Sequence, residues 1–233
     1  MTALSSAIPS FSHVTDWVFD LDNTLYPREC NLFAQIDVLI TQYVMDVTQL
    51  DFAEARKLQK DYYRDYGTTL NGLMRRHDID ANHFLNTVHA IDYSPVNPHP
   101  DLIEAIAVLP GRKFILTNGD TGHARNVLAR LGGDHLFEHV HDIRAMTFVP
   151  KPHREAYDGF FQLHGINPGR AAMFDDLEKN LVVPHEVGMA TVQVVPGDDF
   201  AHEQVDAWEL GRTTGPHVHH ITGDLAGFLR NLP

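Results

Sequence analysis

Asp20 and Asp22 stand two residues apart directly after the apolar run Trp17-Val18-Phe19, where a short strand ends. Side chains along a strand alternate between faces, so both acids project to one side if the backbone stays extended through Leu21. Asn23 and Thr24 then favour a turn. Three further polar clusters follow much later in the chain: Thr117-Asn118, Lys151 and Asp175-Asp176. Carboxylates gathered together repel one another unless a cation sits among them. Their hard oxygen donors suit Mg²⁺, which also bridges to phosphate oxygens. Lys151 and the backbone N–H groups around Asn118 and Gly119 add positive potential for an anion. A carboxylate attacks a phosphate dianion poorly because both are negative, and a metal together with a lysine removes that obstacle. The implied chemistry is transfer of a phosphoryl group to Asp20. Asp22 would first protonate the leaving alcohol and then take a proton from the water that frees the phosphate.

Singly, each cluster has a plainer use. An Asp-x-Asp after a strand is commonly a turn or a helix cap, and Thr117-Asn118-Gly119 reads as a turn. Lys151-Pro152 could be a solvated lysine before a helix, and Asp175-Asp176 an N-cap and its neighbour. What sets them apart is their common placement where expected strands end or helices begin. In an open parallel sheet those ends share one edge, and ligands bind there.

The elements that must position them are legible in the periodicity. After Tyr26-Pro27 the pattern turns helical for about seventy residues. Leu32, Phe33, Ile36, Leu39, Ile40, Tyr43, Val44 and Val47 form one apolar helix face. Asp51 with Glu54 predicts a capping box for a second helix, which Gly67-Thr68-Thr69 interrupts. A short segment around Leu70 to Arg76 and a helix from Asp80 complete the helical stretch, which closes at Pro95, Pro98 and Pro100. Strand and helix then alternate, as in a parallel sheet with crossover helices. Asp101 and Glu104 are expected to cap a helix that Pro110-Gly111 ends, followed by a strand at Lys113 to Leu116 and a helix that Gly132-Gly133 stops. A short strand is expected at Val140 to Ile143, a helix from Arg154 to His164, and strands at Ala171 to Phe174 and Ala190 to Val195. A last strand near Val218 to Ile221 and a helix from Asp224 to Leu232 end the chain.

Composition narrows the function. With 233 residues, 43% of them apolar, the chain can bury one sizeable core plus a small inserted domain. A formal net charge of -13 speaks against a broad basic face for a nucleic acid polymer or an anionic membrane. Cys30, the single cysteine, excludes an internal disulfide and reads as a packed side chain. Met1 to Ser12 lack the basic region and apolar run of a secretory leader, and nothing approaches a membrane span, so a cytoplasmic protein is expected. The sixteen histidines are scattered; the nearest to a metal motif is His217-Val218-His219-His220, where His217 and His219 share a strand face. Two ligands do not make a site.

Together, Asp20-x-Asp22-x-Thr24, Thr117-Asn118, Lys151-Pro152 and Asp175-Asp176 resemble the four motifs of the haloacid dehalogenase superfamily of phosphohydrolases, over nearly the whole chain. The resemblance implies an α/β fold: a Rossmann-like three-layer core with a parallel sheet, formed by residues 1–27 and 99–233, and an inserted all-helical cap domain at 28–98. It implies Asp20 as nucleophile, Asp22 as general acid/base, and Thr117, Asn118 and Lys151 around the phosphate. Mg²⁺ would be held by Asp20, the backbone carbonyl of Asp22 and the Asp175/Asp176 pair. More narrowly, Phe19 to Pro27, Tyr66-Gly67-Thr68-Thr69-Leu70-x-Gly72-Leu73 and Val88-His89 resemble the pyrimidine 5'-nucleotidase branch, which implies small phosphomonoester substrates such as UMP and CMP. Tyr26 and Arg28 lead toward the cap, and Thr68 and Thr69 sit on a cap turn; these four are the candidates for reading the substrate, by stacking on a base or bonding its edge. A phosphosugar phosphatase or mutase would keep every motif. A 2-haloacid dehalogenase needs neither Asp22 nor the acidic fourth cluster, and a binding protein without turnover has no use for the full set of acids.

Overall fold

The computed structural model describes residues 11–196 and 215–233. Residues 1–10, the larger part of the stretch read for a leader, lie outside them. Among the described residues six strands form one parallel sheet in the order β3-β2-β1-β4-β5-β6. They are β1 (Asp16–Phe19), β2 (Arg112–Leu116), β3 (His139–His141), β4 (Ala171–Asp175), β5 (Ala190–Val194) and β6 (His220–Thr222). β1 lies at the centre, with Phe19 opposite both Ile115 of β2 and Phe174 of β4. The strand order runs outward in both directions from β1 and β4, and such a reversal opens a crevice at the carboxyl ends.

Alternation along the strands builds two hydrophobic layers. Trp17, Phe19, Ile115 and Phe174 pack into one core, covered by α5 (Pro100–Ala107), α6 (Thr121–Leu131) and α9 (Leu225–Arg230). Val18, Phe114, Leu116 and Met173 face the other core, covered by α7 (Arg154–His164) and α8 (Val182–Glu186). Because both faces are covered, β1, β4 and β5 are buried throughout and β2 over its last three residues.

Between β1 and α5 the regular elements are all helical, with α1 (Leu32–Thr48), α2 (Phe52–Tyr66), α3 (Thr69–His77) and α4 (Ala81–Val88) as the α-helices. Each of the last three starts on an expected or nearby polar cap: Asp51 accepts from Glu54 N, Thr68 from Asn71 N, and Asp80 from Asn82 N. Gly67, at φ 82°, ends α2 where the chain passes Pro150; a Cβ there would lie 3.0 Å from the proline ring. The second core continues into this insertion through Ile36, Val44, Leu70, Phe84 and Val88. Among the described residues no helix is long and apolar enough to cross a membrane.

Several boundaries differ from the sequence expectation. α5 is capped by the imidazole of His99, which accepts from Leu102 N, rather than by Asp101, because Pro100 suits the first helical position. β3 ends at His141; Ile143 instead donates its N–H to Gly119 O, drawing the chain toward the sheet edge. β6 begins at His220. His217 contacts Glu178 and His219 bonds Thr191, so these two histidines take separate partners rather than converging.

One histidine of the sheet is buried without a full set of partners. His141 is buried in β3 against Phe160, with Nδ1 3.1 Å from His164 Nε2 and no hydrogen-bond partner on Nε2 among the described residues. Burial, with His164 and His139 nearby, pulls its pKa down to about 4. Below about pH 6.5 the unfolded chain takes up a proton that the folded chain refuses, so this contribution is complete above that pH and declines toward pH 4. Urea denaturation is expected to show a loss of about 1–3 kcal/mol between pH 7 and 4.5, and His141→Leu should flatten that dependence.

Candidate active site

The carboxyl ends of β1, β2 and β4 adjoin, which brings three of the four sequence clusters to one edge. Asp20 follows β1 and donates its N–H to Phe174 O at 2.8 Å, while Asp175 is the last residue of β4. Lys151 comes from the loop after β3. Asn118, just beyond β2, brackets it: Asn118 Nδ2 donates to Lys151 O at 3.1 Å and Lys151 N donates to Asn118 Oδ1 at 2.9 Å. The Asn118 amide is thereby occupied in holding Lys151. With its backbone fixed, Lys151 sends its Nζ to Asp20 Oδ1 at 2.8 Å and to Asp175 Oδ2 at 2.7 Å, and the whole residue is 2% exposed.

The other Asp175 oxygen accepts from Leu177 N and Asn180 Nδ2, and Tyr157 OH in turn holds Asn180 O. Asp176 lies against Arg28, whose guanidinium nitrogen is 2.6 Å from Oδ2. One oxygen each of Asp20, Asp175 and Asp176 falls within 4.8 Å of the others, the single such group among the described residues. Three carboxylates face two cations, Lys151 and Arg28, which leaves one negative charge buried. The strain shows in the proton affinities. Burial pushes the Asp20 carboxyl well up despite Lys151, and burial with Asp175 pushes Asp176 up to about 7. An oxygen-only donor set short of positive charge fits a hard divalent cation.

Asp22 is kept apart from this group. Its Oδ1 accepts from Tyr26 OH at 2.6 Å and from His123 Nε2 at 2.7 Å, and His123 overcomes burial to bring its pKa down to about 2. Thr117 Oγ1 accepts from Gly119 N, folding the turn whose backbone lines the same cleft. The cleft, about 490 Å³, extends from Asp20, Thr117 and Lys151 to apolar side chains of the helical insertion such as Ile36, Leu70 and Phe84.

The four substrate-reading candidates divide. Tyr26 is 1% exposed and bonded to Asp22, and it does not border the cleft, so it is not a stacking surface. Arg28, Thr68 and Thr69 do border it. Thr68 also caps α3, and Thr69 Oγ1 donates to Gln59 O, so both hydroxyls have structural partners. Sequence reasoning missed His123 and Tyr93, and it named His89 only within the Val88-His89 pair, without a role at the site. His123 had a usable signal, since Asp120-x-x-His123 after a strand-to-helix turn places it in the first helical turn, facing the strand end. The Arg28–Asp176 pair, 148 residues apart, had none.

A parallel sheet with acids and a lysine gathered at its carboxyl edge defines a Rossmann-like α/β protein with a ligand site at the strand ends. The family model described as haloacid dehalogenase-like hydrolase matches residues 18–181, and the chain belongs to that family. Phosphate metabolism protein 8 of Saccharomyces cerevisiae is 27% identical over 192 residues, covering 75% of this chain and 59% of the yeast protein. Phosphoglycolate phosphatase of Haemophilus influenzae is 26% identical over 105 residues, covering 44% of this chain and 46% of the relative. The chain thus spans less than two thirds of the length of either relative. The fold is shared with L-2-haloacid dehalogenase from Xanthobacter autotrophicus, at a TM-score of 0.58 and 16% identity over 93% of this chain and 97% of that one.

Lys151→Met removes the cation between Asp20 and Asp175. Chemical denaturation at pH 8 is expected to show a loss of about 3 kcal/mol, shrinking as the pH falls and Asp20, whose proton burial favours, becomes neutral. A loss independent of pH would refute the electrostatic assignment.

Proposed function

We propose that the protein is a Mg²⁺-dependent phosphomonoesterase that works through an aspartyl-phosphate on Asp20. The observation that carries this is the separation of two acid environments one residue apart: Asp20 in a charged cluster with Lys151, Asp22 outside it on neutral or basic donors. Displacing an alkoxide needs a group to protonate it, whereas displacing a halide does not, so the elaborate holding of Asp22 favours a phosphatase over the dehalogenase whose fold is shared. The curated relatives bear phosphate-related names, in agreement with this reading.

The roles follow from position. Asp20, charge-paired with Lys151, attacks phosphorus as the ester P–O bond breaks, and the leaving oxygen takes the proton of Asp22. A phosphate dianion beside Asp22 raises its proton affinity from the low value it has in the empty cleft. Water then attacks the aspartyl-phosphate, Asp22 takes the proton, and Asp20 returns as carboxylate. Lys151, Thr117 and the N–H groups after β2 hold the phosphoryl oxygens. Asp20, Asp175, Asp176 and the backbone carbonyl of Asp22 would hold Mg²⁺, which supplies charge neutralisation and orientation.

For the substrate we infer a pyrimidine nucleoside 5'-monophosphate, with residues 28–98 acting as a cap over a core of 1–27 and 99–233. In support, the cleft of about 490 Å³ is lined by both Lys151 and Phe84, and Thr68 and Thr69 border it. Contacts such as Lys179 Nζ to Tyr63 OH at 2.9 Å and Arg144 Nε to Asn82 Oδ1 at 2.8 Å tie the insertion to the sheet side.

The purified protein should hydrolyse p-nitrophenyl phosphate, lose activity with a chelator, and lose at least ~10³-fold in kcat as Asp20→Asn. Full activity in that variant would rule out the mechanism. Mg²⁺ at about 100 times its Kd should stabilise the protein by about 2.7 kcal/mol in a thermal-shift titration, and Asp175→Asn should abolish the shift. In a panel of monophosphates, UMP and CMP should exceed sugar phosphates; a flat or sugar-biased profile would refute the nucleotide assignment and favour a phosphosugar enzyme.

A further inference from the structure

The surroundings of Asp22 determine which of its two oxygens can move a proton. Both hydrogen bonds it receives end on Oδ1, from Tyr26 OH and His123 Nε2. An ionised carboxylate only accepts, so both partners are donors. Among the described residues no donor reaches Oδ2. A Cβ built on Gly119 would lie 3.7 Å from Oδ2, which therefore faces the turn at residues 117–119 and the cleft. The His123 side chain is fully buried and Tyr26 is 1% exposed, so neither donor swings freely.

His123 is itself held from three sides. Asp120 caps α6 and accepts from His123 N at 2.7 Å. Tyr93 OH lies 3.0 Å from His123 Nδ1 and 3.0 Å from His89 O, and the His89 ring stacks on the His123 ring at 4.6 Å and 15°. Tyr93 and His89 belong to the segment returning from the helical insertion, while Tyr26 belongs to the segment leaving for it. Both crossings between sheet and insertion thus converge on one carboxylate.

We propose that His123, with Tyr26, is a positioning residue for Asp22: the two donors occupy Oδ1, so that Oδ2 alone carries the proton to and from the reacting oxygens. This rests on the phosphomonoesterase reading. In the first step the ester P–O bond breaks, its electron pair stays on the leaving oxygen, and the Oδ2 proton joins that oxygen. In the second, a water oxygen bonds to phosphorus, its proton passes to Oδ2, and the bond between phosphorus and Asp20 breaks with its pair returning to Asp20. His123 keeps its proton throughout.

The leaving group provides the test, because kcat/KM reports only the steps up to its departure. p-Nitrophenolate leaves without a proton and an alkoxide does not. His123→Phe keeps the ring and removes both nitrogens. It should lower kcat/KM for ethyl phosphate by about 100-fold and for p-nitrophenyl phosphate by less than about 5-fold, with inhibition by inorganic phosphate unchanged. His123→Gln, whose amide N–H reaches toward the same place, should recover most of the loss. In an Asp22→Asn background, His123→Phe should add less than about 3-fold, as expected for two residues acting through one group. Should His123→Phe fail to fold, Tyr26→Phe removes one hydroxyl and should show a selective loss of about 10-fold with ethyl phosphate. Equal losses on the two esters, no loss, or full additivity with Asp22→Asn would overturn the proposal. A wild-type protein inert toward both esters would instead refute the phosphomonoesterase itself.

Discussion

A single buried ammonium group, Lys151 Nζ, lies between Asp20 and Asp175, and the rest of the site depends on that arrangement. At 2.8 Å and an effective dielectric of about 20, each pair attracts by on the order of 6 kcal/mol. Desolvating a buried ion costs several kcal/mol, so the net contribution to stability is modest and the gain is in arrangement. The lysine sets the separation of two strand ends and leaves the acidic group one charge short of neutral. Its own placement depends on Asn118, which clamps the Lys151 backbone from the neighbouring strand end. Sheet order, loop conformation and charge balance are therefore one constraint.

That constraint also explains how Asp20 and Asp22 acquire opposite tendencies with one residue between them. Asp20 continues the line of β1 into a group of like charges, where burial and Asp175 favour its proton. The turn that follows carries Asp22 toward α6, where His123 opposes burial and favours the carboxylate. Two identical side chains become chemically distinct because the chain turns just past the strand end, and the difference is made by neighbours drawn from 100 or more residues away.

The helical insertion adds the apolar part of the cleft and also participates in the polar part. Its outgoing segment supplies Tyr26 and Arg28, and its returning segment supplies His89 and Tyr93. A movement of the insertion would have to pass through residues that touch Asp22, Asp176 or His123. The insertion and the surroundings of Asp22 are thus joined by direct contacts.

Much of this was legible from local pattern. The period of apolar residues marks each helix and strand because periodicity follows directly from backbone geometry, and α7 begins and ends where the spacing placed it, at Arg154 and His164. The residue types at the strand ends suggested a site for a phosphate and a cation, and the structure brings Asp20, Lys151, Asp175 and Asp176 together there. Local pattern failed where a side chain chose between near neighbours, as with the His99 cap of α5, and where a partner lay far off in the chain. Tyr26 looked available to a substrate because its sequence context shows an aromatic beside a motif; only the fold shows it turned inward to Asp22. Composition and spacing thus determined which groups were present and which edge of the sheet they would occupy. The tertiary structure decided which carboxylate received the lysine, which received the histidine, and which oxygen was left free, because those outcomes depend on distances of a few ångströms between segments that no sequence interval encodes.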